Sequence, residues 1–463
     1  MLDKNKAFDI FDRIKKHSTS DEVEVLFYGG KSELTRFANN AIHQNVAEEN
    51  YGVSVRAVFS GRTARATTNK LDDEGLKRVV QASETLARVQ HPDPDLLPVP
   101  GPGAAPASVP ANAEPSRHFE ETAAVTPEQR AQEVGEIVSV AGRHKLTAAG
   151  IFSTADCVEG IFNSRGLAEW HTQTSSEISI TMLAPDSSGW QKANSPNVAD
   201  LDATVLAEIA AHKATESASP RELPAGKYTV VLEPAAVLDI AGFMFWDFSG
   251  LAILDQRSFL NHRVGEKLFG DNINIWDDAA HPLQSGSPFD GEGMRRQRIQ
   301  LVENGVVKRL VYARATAEKM KASEYKDNVG PIEPTGHGFA LPNEMGEAPM
   351  NIVFGGAKQT KTVDQMIAST GRGILVTRLW YIREVDPYEK ILTGMTRDGT
   401  FLIEDGKVRG GVRNFRFNQS LIKMLSNVEQ MGTPVRASGE ESFDMVVPAM
   451  KVHEFNFTEV TKF

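Results

Sequence analysis

Hydrophobic and polar positions alternate along the chain in blocks that predict both helices and strands. Residues 7–16 carry apolar side chains at helical spacing, and the same spacing returns after Asp72. Residues 23–28 and 52–59 instead alternate with a period of two, which is typical of half-buried strands. Residues 1–91 are therefore predicted to form a small α+β domain.

A Pro-rich segment follows this domain. Eight prolines lie between positions 92 and 115, with Gly and Ala between them. Such a composition favours extended polyproline conformations and resists packing into a core. We interpret residues 92–117 as an exposed linker; the alternative is a recognition sequence for a partner domain.

A second structured region begins after the linker. Thr126 and Gln129 form a capping-box pattern, and Pro127 fits the first helical position. Strand-like runs cover residues 146–183, and a helix is expected near residues 202–215. Residues 118–222 are therefore predicted to be a central α+β domain.

The rest of the chain is dominated by strand and hairpin patterns. Residues 226–232 read as a strand, and Asn304-Gly305 and Asp405-Gly406 are typical of tight hairpin turns. Another capping box begins at Thr362. Residues 223–463 are therefore predicted to form a larger, β-rich C-terminal domain with flanking helices.

Composition and charge exclude several classes of protein. The 463 residues include 50 Lys and Arg against 61 Asp and Glu, a net charge of −11, which argues against a dedicated nucleic-acid-binding protein. Cys157 is the only cysteine, so an internal disulfide or a multi-cysteine metal site is excluded. No apolar run is long enough to span a membrane, and we expect the protein in the cytoplasm.

Local motifs for catalysis are absent from the sequence. The eleven histidines include no HExxH-type pair, and neither a GxSxG elbow nor a phosphate-binding loop is present. Acidic and His side chains that could serve as acids or bases occur in segments rich in turn-forming residues. These are Asp277, Asp278, Asp290, Glu292 and His337, and each is interpreted first as part of a polar loop.

A basic and aromatic stretch occupies residues 413–418. If the whole stretch is a strand, Arg413 shares a face with the two phenylalanines, and Asn414 and Arg416 lie on the other face. Such a strand could present Arg and Asn to a peptide or a carboxylate. The alternative is a half-buried strand with solvated arginines.

Five short motifs in a fixed order resemble the C-terminal half of the TldD/PmbA (TldE) family. They are Asp290-Gly291-Glu292-Gly293, Val302-Glu303-Asn304-Gly305, Leu392-Thr393-Gly394, Ile403-Glu404-Asp405-Gly406-Lys407 and Arg413-Asn414-Phe415-Arg416. The first 90 residues also resemble the N-terminal module of that family. The resemblance covers nearly the whole chain.

The resemblance implies a two-subunit cytoplasmic metallopeptidase. The TldD-type subunit of such a pair carries an HExxxH helix, and a distant Cys completes its zinc site. The TldE-type (PmbA) subunit typically lacks these ligands. The pair encloses a cavity that admits unfolded peptides, trims the leader peptides of modified antibacterial peptides and degrades small proteins such as an antitoxin.

This sequence departs from the zinc-binding pattern of the family. Aligned by hand, Gly242 and Asp247 stand where the two His would be, and Phe243 stands where the Glu would be. The C-terminal Cys is also missing. The resemblance therefore implies a TldE-type subunit without a cofactor of its own, and zinc is expected in the partner. Residues 243–246 are expected to fill or wall the space where the partner holds its metal.

Three functional hypotheses follow from the sequence. The favoured one is a non-catalytic TldE/PmbA-type subunit that pairs with a TldD-type zinc-bearing subunit, helps to form the chamber and positions peptide, with Arg413, Asn414 and Arg416 as peptide contacts. The sequence leaves open whether the chain alone forms a homodimer. One alternative is a stand-alone metal-dependent peptidase with an atypical site, whose candidate residues are Asp247, Asp277, Asp278, Asp290, Glu292 and His337. The other is a non-enzymatic peptide- or protein-binding regulator. Membranes and nucleic acids are not expected as partners.

Overall fold

Three β-sheets with helices packed on them make up the described part of the chain. The computed structural model describes residues 2–103, 115–356 and 359–461. The predicted α+β class is confirmed. In chain order the helices are α1 Lys4–His17, α2 Asp73–Val89, α3 Glu120–Ala123, α4 Pro127–His144, α5 Ala203–Glu216, α6 Pro234–Ala241, α7 Gly250–Leu254, α8 Arg314–Ala322, α9 Val363–Ala368 and α10 Leu421–Ser426.

The first sheet has six antiparallel strands in the order β3-β2-β1-β4-β5-β6. Three of them come from the predicted N-terminal domain and three from the predicted central domain, so these two segments share one sheet. The domain boundaries themselves stay predictions. The strands are β1 Glu22–Ala38, β2 Ala41–Phe59, β3 Arg62–Thr68, β4 Thr147–Asn163, β5 Ala168–Leu183 and β6 Ser188–Ser195.

Two hydrophobic clusters attach helices to this sheet. Residues of α1 and α2 pack with apolar residues of β1 and β2, and residues of α4 and α5 pack with those of β4 and β5. The helices bury one apolar face each, as amphipathic helices on a sheet do.

The described parts of the Pro-rich segment contain neither helix nor strand, and residues 104–114 of the predicted linker lie outside the described residues. Val99 and Arg117 are buried. The guanidinium of Arg117 donates hydrogen bonds to the carbonyl oxygens of Ala279 and Pro282, at 3.0 and 3.1 Å. The interpretation of the segment as wholly exposed is therefore wrong at these two positions and at Pro100, which is also buried.

The C-terminal region contains the other two sheets. One has the order β10-β9-β8-β11-β18-β17, and the other has the order β12-β7-β19-β15-β13-β14. Since β12 also pairs with β13, five strands of the second of these sheets close into a ring. The strands are β7 Gly226–Leu232, β8 Asn274–Asp277, β9 Ile299–Glu303, β10 Val306–Val307, β11 Ile352–Gly355, β12 Arg372–Asp386, β13 Ile391–Glu404, β14 Lys407–Gly411, β15 Phe415–Ser420, β16 Val428–Met431, β17 Val435–Ala437, β18 Met445–Val447 and β19 Met450–Val460.

Local sequence signals for helix starts and hairpin turns are confirmed. Asp72 caps α2, and the capping boxes at Thr126 and Thr362 begin α4 and α9. Asn304 and Asp405 have φ angles of 49° and 51°, as a tight hairpin turn requires. Each of these features depends on residues within four positions of one another.

The predicted strand over residues 413–418 is only partly correct. From Phe415 onward the residues alternate between buried and exposed in β15, as the pattern predicts. Arg413 and Asn414 precede the strand and have no regular structure. Arg413 is therefore exposed and does not share the buried face of Phe415 and Phe417, because the period of two begins after it.

Candidate functional site

The segment where the family's metal motif is expected forms one continuous helical stretch. Strand β7 ends at Leu232, Pro234 begins α6 at its first turn, and α6 runs directly into a 3₁₀-helix, Gly242–Phe248. Nearly all of α6 is apolar and buried, which is typical of a helix inside a core. Gly242, Phe243 and Asp247 all lie on the 3₁₀-helix.

These three residues line a cavity of about 410 Å³, which we call the Lys390 cavity. The segments around it come from distant parts of the sequence. Its lining residues are Gly242, Phe243, Trp246, Asp247, Ala252, Arg257, Glu384, Lys390, Glu441, Ser442 and Phe443.

Asp247, which stands at the second His position of the family's motif, forms a buried ion pair. The carboxylate of Asp247 accepts a hydrogen bond from the ammonium group of Lys390, and its other oxygen accepts the backbone N–H of Phe259 at 3.0 Å. Lys390 also lies 2.6 Å from Glu384, and both Asp247 and Lys390 are about 5% exposed. Burial raises the pKa of Asp247, although the charge of Lys390 opposes this shift. The ammonium group of the lysine thus occupies the place between the two carboxylates that a bound cation would need.

The packing of Ser442 against Gly242 requires a glycine at this position. A Cβ atom at Gly242 would lie 1.7 Å from Oγ of Ser442 and 2.4 Å from its Cβ. Such distances do not occur between non-bonded atoms, so any side chain at position 242 requires Ser442 to move. A His at this position is incompatible with the observed packing.

A buried carboxylate fixes that segment. Oδ1 of Asp239, in α6, accepts the backbone N–H groups of Glu440 and Glu441, and Oδ2 accepts that of Leu379. Gly439 leaves room for this contact, because a Cβ there would lie 2.2 Å from Oδ1. Burial raises the pKa of Asp239 to about 7, although the three hydrogen bonds favour the charged form.

Glu441 ties the same segment to β12. Its carboxylate accepts the backbone N–H groups of Tyr381 and Ile382, at 2.7 and 3.1 Å. Tyr381 has a φ angle of 54° and lies where the register of β12 against β13 shifts. The wall of the cavity is therefore held on both sides by carboxylates that accept backbone hydrogen bonds.

The aromatic residues of the stretch divide into two groups. Met244 and Phe245 are buried in the main core, whereas Trp246 is 44% exposed and stacks on Phe339 with ring centroids 5.8 Å apart. Trp246 also lines a neighbouring cavity of about 520 Å³, together with Glu344 and other residues. Phe243 and Trp246 thus wall the Lys390 cavity, and the other two residues fill the core.

The donor atoms around the Lys390 cavity do not suit zinc. A zinc site needs several His, Cys or carboxylate ligands converging on one point. No His or Cys lines this cavity, and its carboxylates surround an ammonium group. Across residues 2–103, 115–356 and 359–461, no group of three such residues is arranged to hold a metal ion.

The acidic residues named for a stand-alone enzyme are used inside the fold. Asp290 accepts the backbone N–H groups of Glu292, Met294 and Gly338. Burial, reinforced by the charge of Asp290, raises the pKa of Glu292 to about 7. Glu292 in turn accepts the backbone N–H of Arg314 at 2.9 Å. These carboxylates hold loops by binding backbone groups.

The remaining members of that set are also enclosed or paired. Oδ1 of Asp277 lies 3.0 Å from Nε2 of His337, and neither side chain is exposed. The charge of His337 lowers the pKa of Asp277, although burial opposes this. Asp278 lies 3.2 Å from the guanidinium of Arg298. The structure therefore does not bring these residues into the Lys390 cavity.

The residues predicted to contact peptide lie away from the Lys390 cavity, and only two of the three line a common cleft. Arg413 and Asn414 line a separate cleft of about 720 Å³, which we call the Arg413 cleft. Asn414 accepts hydrogen bonds from the hydroxyl groups of Thr396 and Thr400. Arg416 is on β15 and lies 3.9 Å from Glu459.

Sequence reasoning missed the residues that complete the Lys390 cavity. Glu384 and Lys390 lie in the hairpin of β12 and β13, Ser442 lies in a distant segment, and none of the three carries a local motif. Asp239 did leave a signal, because it is the only charged residue within the apolar helix α6. A single carboxylate in an apolar helix predicts a buried hydrogen-bonding role.

Comparison with known proteins identifies the family. Residues 225–459, about half of the chain, match the domain described as the PmbA/TldA metallopeptidase C-terminal domain, and residues 23–87 match domain 1 of the same family. The chain belongs to the PmbA/TldA metallopeptidase family. The resemblance seen in the sequence is therefore confirmed.

Similar proteins of this family match over nearly their whole length. The metalloprotease PmbA of Escherichia coli O157:H7 is 22% identical over 94% of this chain and 92% of its own. A PmbA homologue from Haemophilus influenzae is also 22% identical, over 89% and 87% of the two chains. The crystal structure of TldE from Thermococcus kodakarensis shares the fold, with a TM-score of 0.83, 19% identity and coverage of 98% and 99%. No helix in the described residues is long and apolar enough to cross a membrane.

Proposed function

We propose that this chain is the non-catalytic, TldE/PmbA-type subunit of a two-subunit zinc metallopeptidase that cleaves small or unfolded peptides. The observation that carries the proposal is the ion pair of Asp247 with Lys390 at the position of the family's metal motif. A lysine between two carboxylates occupies the place of a cation and offsets one of their two negative charges. The zinc is accordingly assigned to a TldD-type partner.

The packing at Gly242 supports the same role. A metal-ligating His at this position would collide with Ser442, in a segment that Asp239 and Glu441 hold by backbone hydrogen bonds. Regaining the motif would require rebuilding the cavity wall as well as changing a residue. The site is therefore built for packing and not for metal binding.

Positioning of peptide is assigned to the exposed wall of the cavity. Trp246 and Phe339 form a stacked pair beside the cavity, and an aromatic surface of this kind can bind side chains of varied sequence. Arg413 and Arg416 are exposed cations that remain predicted peptide contacts. Asn414 is less suited to this role, because its side-chain oxygen accepts two internal hydrogen bonds. The cytoplasm remains the predicted location.

The proposal is tested by measuring metal content and peptide cleavage for the chain alone and mixed with a zinc-bearing TldD-type relative. We expect less than about 0.1 zinc per chain and no cleavage by the chain alone, since a zinc-bound nucleophile requires near-stoichiometric metal. We expect cleavage when the two are mixed. Stoichiometric zinc with chelator-sensitive cleavage by the chain alone would favour the stand-alone peptidase. Failure of the two proteins to associate at micromolar concentration would count against the subunit role.

A paired variant separates the peptide-positioning role from assembly. Trp246→Ala is expected to raise KM of the mixed enzyme without preventing association, because the side chain is exposed beside the cavity. Leu86→Ala, at an equally exposed side chain on α2, serves as the control and should leave KM unchanged. Equal effects of the two changes would contradict a role for Trp246.

A further inference from the structure

Trp246 belongs to the walls of two adjacent cavities. It lines the Lys390 cavity and also the neighbouring cavity of about 520 Å³, which we call the Glu344 cavity. Its indole ring stacks on Phe339 with an angle of 27° between the rings. Stacking covers only one face of a ring, and Trp246 remains 44% exposed. The other face of the indole is therefore open to a ligand.

The charged residues around Trp246 are mostly acidic. Burial raises the pKa of Asp247 and of Glu347. The carboxylates still outnumber the cations if these two are protonated. The charged residues that line the two cavities are Asp247, Asp255, Glu344, Glu347, Glu384, Glu441, Arg257 and Lys390.

Both cations of this set are already paired. Lys390 lies between Asp247 and Glu384. The guanidinium of Arg257 lies 3.1 Å from the carboxylate of Asp255. Each positive charge is therefore offset by a neighbouring carboxylate, and neither is available to balance the carboxylates that remain.

One further carboxylate lies in each cavity. Glu344, in the Glu344 cavity, is exposed and forms no ion pair with any described residue. Glu441, in the Lys390 cavity, accepts two backbone N–H groups, and the exposed guanidinium of Arg383 lies 3.8 Å from it. A cation on the open face of Trp246 is attracted both by the electron-rich ring and by the surplus of negative charge around it.

We propose that the open face of Trp246 binds an arginine or lysine side chain of the peptide substrate. The inference rests on the proposed function, because it names the side chain that the peptide-positioning wall recognises. Arginine is expected to bind more tightly than lysine, since its planar guanidinium stacks on aromatic rings and is more weakly hydrated than an ammonium group. An uncharged side chain of similar length gains only the apolar contact with the ring.

The test follows the fluorine NMR signal of Trp246 in the full chain labelled with fluorotryptophan. The variant Trp246→Phe assigns that signal among the five tryptophans. Flexible Gly/Ser peptides that differ only at one central residue, Arg, Lys, norleucine or Glu, are titrated to millimolar concentration. We expect a Kd for the Arg peptide at least about fivefold lower than for the norleucine peptide, and the weakest binding for the Glu peptide. Equal Kd values for Arg and norleucine, or no shift of the Trp246 signal with the Arg peptide, would overturn the proposal.

A pair of charge variants separates the site from the overall negative charge of the protein. Glu344→Gln should raise the Kd of the Arg peptide about two- to threefold and leave that of the norleucine peptide unchanged. Glu136→Gln is the matched control, because Glu136 is exposed on α4, lines neither cavity and gives the same change in net charge. Equal weakening by the two changes would show that the whole protein attracts the peptide, and it would contradict the proposed site.

Cleavage by the mixed enzyme distinguishes this inference from the proposed function. Trp246→Leu should raise KM for a substrate with Arg at the recognised position and leave kcat unchanged, with a much smaller effect when norleucine replaces that Arg. Cleavage without any preference for Arg contradicts the inference but not the subunit role. An Arg preference of the chain alone, without cleavage by the mixed enzyme, contradicts the subunit role but supports the binding site.

Discussion

The contact between Gly242 and Ser442 makes a sharp prediction about stability. Gly242 has helical backbone angles, φ −57° and ψ −28°, so Ala is conformationally acceptable there. Backbone propensity alone would make Gly242→Ala stabilising by up to about 1 kcal/mol. The new Cβ would nevertheless lie 1.7 Å from Oγ of Ser442. We therefore expect steric overlap to reverse the sign of the effect.

The magnitude follows from the cost of overpacking a rigid wall. Ser442 lies next to Glu441, whose carboxylate is held by two backbone N–H groups, so the segment cannot move freely. Overpacking in such places costs about 1–3 kcal/mol. For a domain of this size, a loss of about 2 kcal/mol lowers Tm by about 4–8 °C.

The assay is thermal and urea unfolding of the full chain, with two companion variants. Ser442→Gly removes the clashing atoms, so the double variant with Gly242→Ala should recover most of the lost stability. Gly135→Ala is the matched control, because Gly135 is exposed within α4 and a Cβ there meets nothing within 4 Å. We expect that control to stabilise the protein by about 0.5–1 kcal/mol. Equal effects at positions 242 and 135, or no recovery in the double variant, would refute the reasoning.

Other predictions concern buried charges and a helix cap. Lys390→Met leaves Asp247 buried without its partner and should lower the free energy of unfolding by about 3–5 kcal/mol, measured in urea. The control Lys227→Met, at an exposed ion pair, should change the free energy of unfolding by less than about 0.5 kcal/mol. Burial raises the pKa of Glu292 to about 7 in the folded protein. Its contribution to the free energy of unfolding is therefore present below the unfolded pKa near 4.5 and is lost as the pH rises towards 7. Glu292→Gln should flatten this part of the pH–stability profile. Thr126→Ala removes the α4 cap and should cost about 1 kcal/mol by the same unfolding assay.

The features that sequence predicted well are those that depend on neighbouring residues. Thr126 and Gln129 are three positions apart, and the Asn304-Gly305 turn is set by two adjacent residues. Helix caps and tight turns are determined by such local hydrogen bonds and backbone preferences. The strand at residues 413–418 was misjudged by two positions, because a period of two does not mark where a strand begins.

The Lys390 cavity could not be predicted because its contacts join residues far apart in the sequence. Asp247 and Lys390 are separated by 143 positions, and Asp239 and Glu440 by 201. A pattern of hydrophobicity specifies that a helix is buried, but not which distant side chain meets it. The sequence could show that Gly242 cannot bind a metal. Only the fold shows why glycine is needed there: the wall of the cavity, fixed by Asp239 and Glu441, occupies the space that a side chain would fill.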